Sequence, residues 1–376
     1  MAINLRSPYF TGTVEPNSSY AILELRIWSG SFYSPPSTAQ YTLRKTVVGT
    51  STAIFFELSE LIRDYIDITF DGNYNGQAIW FQTVQNVFSW SSLIFSQTFT
   101  KLALDGYWYF EEAQTATPSA LISNRELFVL EDNAFRIPIY INRAPTVVFY
   151  KDGKVIATET FSPSIESANQ IKYVSIYGDS VNWDTFQERV IENFGTYESN
   201  DCLQSFFNNY SIGAVDKITI SDSNGIETIK VNVVEECKYE PKKVTFINKF
   251  GALQDMYFFK KSKENLSIKK ESYKANIVLN DGIYNSTNHV NRNFNVVGKE
   301  SISLSSGYLS EEYNEVFKQL LLSEKVWVTN ILETGEQVLP INVKTSSIAY
   351  KTSVNDKLVD YTIEFDKSFD TINNIR

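Results

Sequence analysis

Residues 244–262 read VTFINKFGALQDMYFFKKS: two aromatic-rich runs, one glycine between them, and lysines at the close. In the first run Val244 and Phe246 alternate with Thr245 and Ile247, the period of two that a strand imposes on its side chains. A partner strand begins at Met256. Gly251, in the connecting GALQD, supplies the backbone angle that a tight turn demands. The stretch reads as a hairpin over 244–259 in a central β domain. The lysine-rich KKSKENLSIKKESYK that follows is long, charged and poorly periodic, which suits an arm or loop over 260–274.

The rest of the chain favours strands as well. Among 376 residues, 43% are hydrophobic and 14% aromatic, and large aromatics fit pleated, half-buried surfaces. That length predicts two or three domains. YAILELRIW (20–28) sets Ala21, Leu23, Leu25 and Ile27 against Ile22, Glu24 and Arg26, a strand with one wet face. Strands follow at YTLRKTVV, STAIFFEL, QAIWFQTVQNVFSW and SLIFSQTFTKLALDGYWYF. SELIRDYIDITFDG predicts a short helical turn, capped by Ser59, with Leu61, Ile62 and Tyr65 as its apolar face. Asp152-Gly153 and Asn224-Gly225 sit between alternating runs and mark two hairpins. SVNWDTFQERVIENFG predicts a helix with Trp183, Phe186, Val190 and Ile191 on one face, stopped by Gly195. A second helix is predicted in SGYLSEEYNEVFKQLLLSEK. Ser310 is its cap, and Leu309, Tyr313, Val316, Phe317, Leu320 and Leu321 form its stripe. Near the end, Asn355-Asp356 turns two strands against each other.

These signals predict a mainly β, multidomain chain with some α. It divides into an N-terminal immunoglobulin- or fibronectin-like β-sandwich over 1–112 and a linker or extended connection over 113–124. A central β-rich domain over 125–275 and a C-terminal α+β domain over 276–376 follow.

Charge narrows the function. The net charge is −10, which argues against a general nucleic-acid binder. Residues 241–275 nonetheless carry nine Lys against three acids. Such asymmetry suits contact between basic and acidic faces of neighbouring copies, and equally a solvated loop. The candidate contact residues are Lys260, Lys261, Lys263, Lys269, Lys270 and Lys274. Cys202 and Cys237 have no metal spacing and make no disulfide framework, and His289 stands alone in a polar loop. No signal peptide is visible in MAINLRSPYF, and no apolar run approaches a membrane span.

No enzyme signature is present: no GxSxG, Walker A, GxGxxG or HExxH. The adjacent acids Glu111-Glu112, Glu235-Glu236 and Glu311-Glu312 do not identify a catalytic pair. Trp90, in FSW, and Tyr107, Trp108 and Tyr109, in GYWYF, are candidates for a sugar-stacking platform, against the alternative that they face the core.

Three segments carry a resemblance. They are NLRSPYFTGT…FELSELIRDYIDITFDG at the start, ECKYEPKKVTFINKFGALQDMYFFKKS, and INVKTSSIAYKTSVNDKLVDYTIEFDKSFDTINNIR at the end. They are similar to segments of structural proteins of tailed-bacteriophage virions, of the kind found in phages of Bacteroidetes-type hosts. The resemblance implies a non-enzymatic tail, baseplate or neck component, assembled in the host cytoplasm into the virion. It implies no cofactor, and a ring-like homo-oligomer together with other virion proteins as partners. A receptor- or carbohydrate-binding module that attaches to a host glycan is the alternative, and a glycan-degrading enzyme the third reading.

Overall fold

The computed structural model describes residues 2–47, 52–112, 115–130, 134–163, 165–176, 215–276, 282, 286–332, 335–350 and 358–372. The predicted helix around Trp183, Cys202 and the Asn355-Asp356 turn lie outside the described residues. The chain is mainly β with some α and forms two compact units. The first comprises 1–235, 245–257 and 312–323; the second comprises 236–244, 258–311 and 324–376. The sequence predicts contiguous domains instead; the chain in fact crosses between the two units five times.

The first unit opens with β1 (Ile3–Asn4), β2 (Phe10–Val14), β3 (Tyr20–Trp28), β4 (Tyr41–Thr46) and β5 (Ala53–Glu57). Helix α1 (Ser59–Arg63) leads to β6 (Ala78–Ser89) and β7 (Ser92–Leu104). One sheet runs β1-β7-β6-β3-β4, and β2 pairs with β5 in a second. The two share a core of Leu23, Leu25, Ile27, Ile54, Phe56, Leu58, Ile62 and Phe81, which makes this the N-terminal sandwich. β3 alternates as its sequence requires, with Ala21, Leu23, Leu25 and Ile27 inward. Ser59 does not cap α1 with its side chain. The Glu57 carboxylate takes that role, accepting from the Ser59 N–H at 2.9 Å. An acid displaces a hydroxyl there because it accepts charge-assisted hydrogen bonds from the first turn.

The first unit continues through β8 (Glu126–Leu130), β9 (Phe135–Tyr140), β10 (Thr146–Lys151), β11 (Lys154–Thr160), β12 (Ile171–Ile176), β13 (Lys217–Asp222) and β14 (Gly225–Val234). Five of these form the sheet β11-β10-β13-β14-β8, and β12 pairs with β9. Asp152 and Gly153 both have positive φ, as a tight primed turn requires. The second turn falls one residue earlier than expected, because Asp222 pairs with Gly225. The segment 117–122 is an extended connection rather than a solvated linker: Thr117, Ser119, Ala120, Leu121 and Ile122 are buried. Small side chains, which resemble linker composition, are also those that fit between packed layers.

The opening stretch forms β15 (Lys242–Ile247) and β16 (Leu253–Phe258), which pair as neighbours. Both strands are buried along their whole length. Asn248 organises the turn. Its Oδ1 accepts from the N–H of Phe250 at 3.0 Å and of Ala252 at 3.1 Å. Its Nδ2 donates to Leu121 O at 2.6 Å and Gln254 Oε1 at 3.0 Å. Gly251 has φ +75°, and a Cβ there would stand 2.8 Å from the backbone of Asp105. Beneath the turn, Tyr74 donates to Asp255 Oδ1 at 2.5 Å and Thr245 donates to the same oxygen at 2.8 Å. Arg136 lies over the Tyr74 ring at 4.3 Å. Burial, and then the Asp255 charge, raise the Tyr74 pKa well above its ordinary value, so the phenol keeps the proton that it donates. Helix α2 (Tyr313–Leu322) also belongs to this unit, with Tyr313, Val316, Phe317 and Leu320 buried. Its start carries no side-chain cap: Ser310, expected to cap, lies in a short strand instead.

The second unit contains β17 (Lys263–Lys274), β18 (Asn291–Ser305), β19 (Leu309–Ser310), β20 (Val326–Leu332), β21 (Gly335–Val343), β22 (Leu358–Val359) and β23 (Thr362–Lys367). Neighbouring strands follow the order β20-β21-β23-β18-β17, and β19 pairs with β22. Ile302, Leu304, Ile363 and Phe365 are buried, and Phe258 meets Phe365 edge-on at 6.1 Å.

Gly251→Ala should lower the melting temperature by about 5 °C or more, since both φ and the Asp105 backbone oppose a Cβ; differential scanning calorimetry reads it. A second prediction concerns Glu159, on β11 opposite Val147. Burial pushes its carboxyl up to about 7. The folded chain therefore holds this proton more tightly than the unfolded one. Stability falls as pH rises from about 4.3, the unfolded value, to about 7. Glu159→Gln should flatten that slope and raise the melting temperature at about pH 8 but not at about pH 4.

Candidate assembly surface

The lysine-rich segment is not an irregular arm. Lys263–Lys274 is strand β17, antiparallel to β18, from Lys263↔Ser303 to Lys274↔Asn291. Poor periodicity hides the strand because neither face of it is buried: every residue of β17 is exposed, so no alternation is required.

The base of this hairpin is pinned. β23 pairs with β18 only over Ser301–Ser305. Lys299 meets Asp366 at 3.1 Å, Lys367 bonds Glu300, and Thr371 N donates to Gly298 O at 2.8 Å. The Lys367 hydrogen bond, first, and then its charge hold the Glu300 carboxyl below its usual range. Beyond Gly298 the hairpin continues as a two-stranded ribbon of residues 268–274 and 291–297. The register shifts between Lys269 and Glu271, where Lys270 stands against two residues of β18, Asn295 and Val296, and Asn295 has φ +53°. Past the bulge, Glu271, Tyr273, Arg292 and Phe294 share one face, and Tyr273 meets Phe294 edge-on at 5.6 Å. Leu266 and Ile268, nearer the base, are 54% and 59% exposed.

The sequence candidates separate here. Lys269, Lys270 and Lys274 lie on the ribbon, Lys263 starts its strand, and Lys261 is exposed just before it. Lys260 is not with them: its Nζ meets Glu236 at 2.7 Å. That hydrogen bond is the main cause lowering the Glu236 pKa. Arg292 and Phe294 complete the ribbon. Sequence reasoning misses them, because only the pairing register brings them opposite β17.

The aromatic candidates also separate. Tyr109 donates to Glu315 at 2.8 Å, and Lys318 Nζ stands 3.5 Å from its ring centre. Arg6 lies 4.9 Å from the Tyr107 ring. Burial is the first cause raising the pKa of both phenols. Trp108 is half-buried, with its backbone N–H on Ser7 at 2.9 Å. The chain's own cations engage the Tyr107 and Tyr109 rings, and Trp108 is held through its backbone. Trp90 is different: it lies at the β6–β7 turn, 84% exposed.

No family model matches the chain. No curated protein matches it. Among solved structures, one titled "Crystal structure of CBD12 from CALX1.2" aligns at 12% identity, over 57% of this chain and 73% of that one, with a TM-score of 0.16. A likeness that shallow carries no argument about function.

Among the described residues no third strand pairs with this ribbon, and a two-stranded ribbon is marginal in water, so its amides should exchange quickly. In hydrogen–deuterium exchange followed by mass spectrometry, peptides from 268–274 and 291–297 should label at least about tenfold faster than those from β3 and β6. The triple charge reversal Lys269→Glu, Lys270→Glu, Lys274→Glu should leave the melting temperature within about 2 °C, the usual range of surface substitutions.

Proposed function

We propose that this chain is a non-enzymatic structural component of a bacteriophage virion, in the tail, baseplate or neck, that assembles into a multimer through the β17–β18 ribbon. The observation that carries the reading is a ribbon whose strand β17 is exposed along its whole length and which carries Lys269, Lys270, Lys274 and Arg292 beside the rings of Tyr273 and Phe294, with Glu271 as the acid on the ring face. Such a ribbon adds nothing to the core of its own unit. Cations and aromatics together suit contact with an acidic surface on another molecule.

The charge balance of the chain supports a second copy as that partner. Its first unit holds 17 basic and 29 acidic residues, net −12, whereas the second holds 17 and 15, net +2. The ribbon of one copy and the first unit of another therefore attract. Such a contact is heterologous, and repeated around an axis it closes a ring. The edge lysines also oppose the competing arrangement. Ribbon-to-ribbon strand addition would place basic edge against basic edge, the way natural sheets prevent indiscriminate pairing. The resemblance of the opening, central and final segments to virion proteins gives this assembly its setting.

Light scattering on the purified chain tests the reading. The expected result is a discrete oligomer at about 50 mM salt that loosens at about 1 M, where screening shortens from roughly 14 Å to about 3 Å. The triple reversal should yield a monomer at both. A wild-type monomer at both concentrations, or an oligomer indifferent to the reversal, would overturn self-assembly through the ribbon.

A further inference from the structure

Trp90 occupies a position that its own chain does not explain. Ser89 pairs with Ser92, so Trp90-Ser91 is a two-residue hairpin turn. Trp90 has φ +54°, a conformation that Asn, Asp or Gly adopts readily and a bulky aromatic rarely does. Packing does not offset the strain, because the residue is 84% exposed. Its backbone N–H donates to Ser19 Oγ at 3.0 Å, which holds the turn in place while the ring stays out in solvent.

The surface beside it is organised. Tyr20, Phe88 and Leu93 stand in one row across β3, β6 and β7. Tyr20 and Phe88 stack at 4.9 Å with 12° between their planes. The next row is Ile22, Asn86 and Ser96, with Ser96 donating to Asn86 Oδ1 at 2.7 Å. Residues 72–100 contain no Asp, Glu, Lys or Arg, in a chain where 21% of residues are charged. The cation beside the row, Arg44, lies over the Tyr20 ring at 4.3 Å.

We infer that this end of the sandwich binds a neutral glycan, with Trp90 as its stacking residue. A sugar ring has an apolar C–H face and a rim of uncharged hydroxyls. Trp90 offers the matching flat apolar surface, and Ser89, Ser91, Ser92, Asn86 and Ser96 offer uncharged donors and acceptors. Rigid aromatics with small polar neighbours give contact area and adaptable hydrogen bonding at low entropic cost. Nucleic acid and anionic lipid call for clustered cations, whereas residues 72–100 carry none and Arg44 is engaged with the Tyr20 ring.

Native gels cast with dextran, mannan, xylan, laminarin or arabinogalactan, and with heparin as the charged control, test this. At least one neutral polymer should retard the chain and heparin should not. Trp90→Asn, which suits the turn, should melt at the same or a higher temperature yet bind at least about tenfold more weakly. Trp90→Tyr should keep a share of the affinity. Retardation by none of the neutral polymers, by heparin alone, or unchanged in a folded Trp90→Asn chain would overturn the assignment.

Discussion

The first unit depends on one buried turn. Asn248 uses both its acceptor and its donor to satisfy four groups, two of them N–H groups that the turn would otherwise leave orphaned inside the protein. A buried amide without a partner costs about 1–3 kcal/mol, so this side chain decides whether the turn can be buried at all. Gly251 then lets the turn approach the chain at Asp105, and Tyr107 N donates to Lys249 O at 2.7 Å. The approach of the two backbones fixes where the GYWYF segment begins. It places Tyr109 among Glu315, Lys318 and Lys249. What reads as a free aromatic cluster is thereby half-covered, with Tyr107 and Tyr109 engaged by the chain's own cations.

The same turn shows what a sequence can and cannot announce. Val244 to Phe246 alternate and Gly251 interrupts, so the hairpin is legible. Its burial on both faces is not, because the polar residues that belong there, Thr245, Asn248, Gln254 and Asp255, look like a wet face until their partners are known. Those partners come from distant positions: Tyr74, Leu121 and Asn124. Ser59 and Ser310 do not act as caps for a related reason. A cap is a geometry, and a neighbouring carboxylate or a strand pairing can pre-empt it. β3 and the Asp152-Gly153 turn are legible because their signals are local: one sheet face buried, and two residues that tolerate positive φ.

The basic segment lies at the opposite extreme. A strand with neither face buried has no hydrophobic register, and its charge is visible where its conformation is not. The lysines that make it look like a loop are compatible with an edge strand, where charge discourages pairing with a stray strand. Once the register is known, the composition changes meaning. Arg292 and Phe294 arrive from further along the chain, and the patch becomes a mixed aromatic and cationic surface rather than a run of lysines.

Two exposed hairpins thus differ in the force each can exert on another molecule. The ribbon carries long cations whose attraction reaches over a Debye length and weakens with salt. The β6–β7 tip carries a ring in a strained backbone within a stretch devoid of charge, so its contacts act only at van der Waals range and are indifferent to salt. Strain persists in a fold only where the surroundings over-determine it, and here the pairing of Ser89 with Ser92 and the Ser19 bond do so. An Asn at this position would relieve the backbone without disturbing either constraint. The indole is therefore not what the hairpin needs in order to close, and its value lies in what it can touch outside the chain.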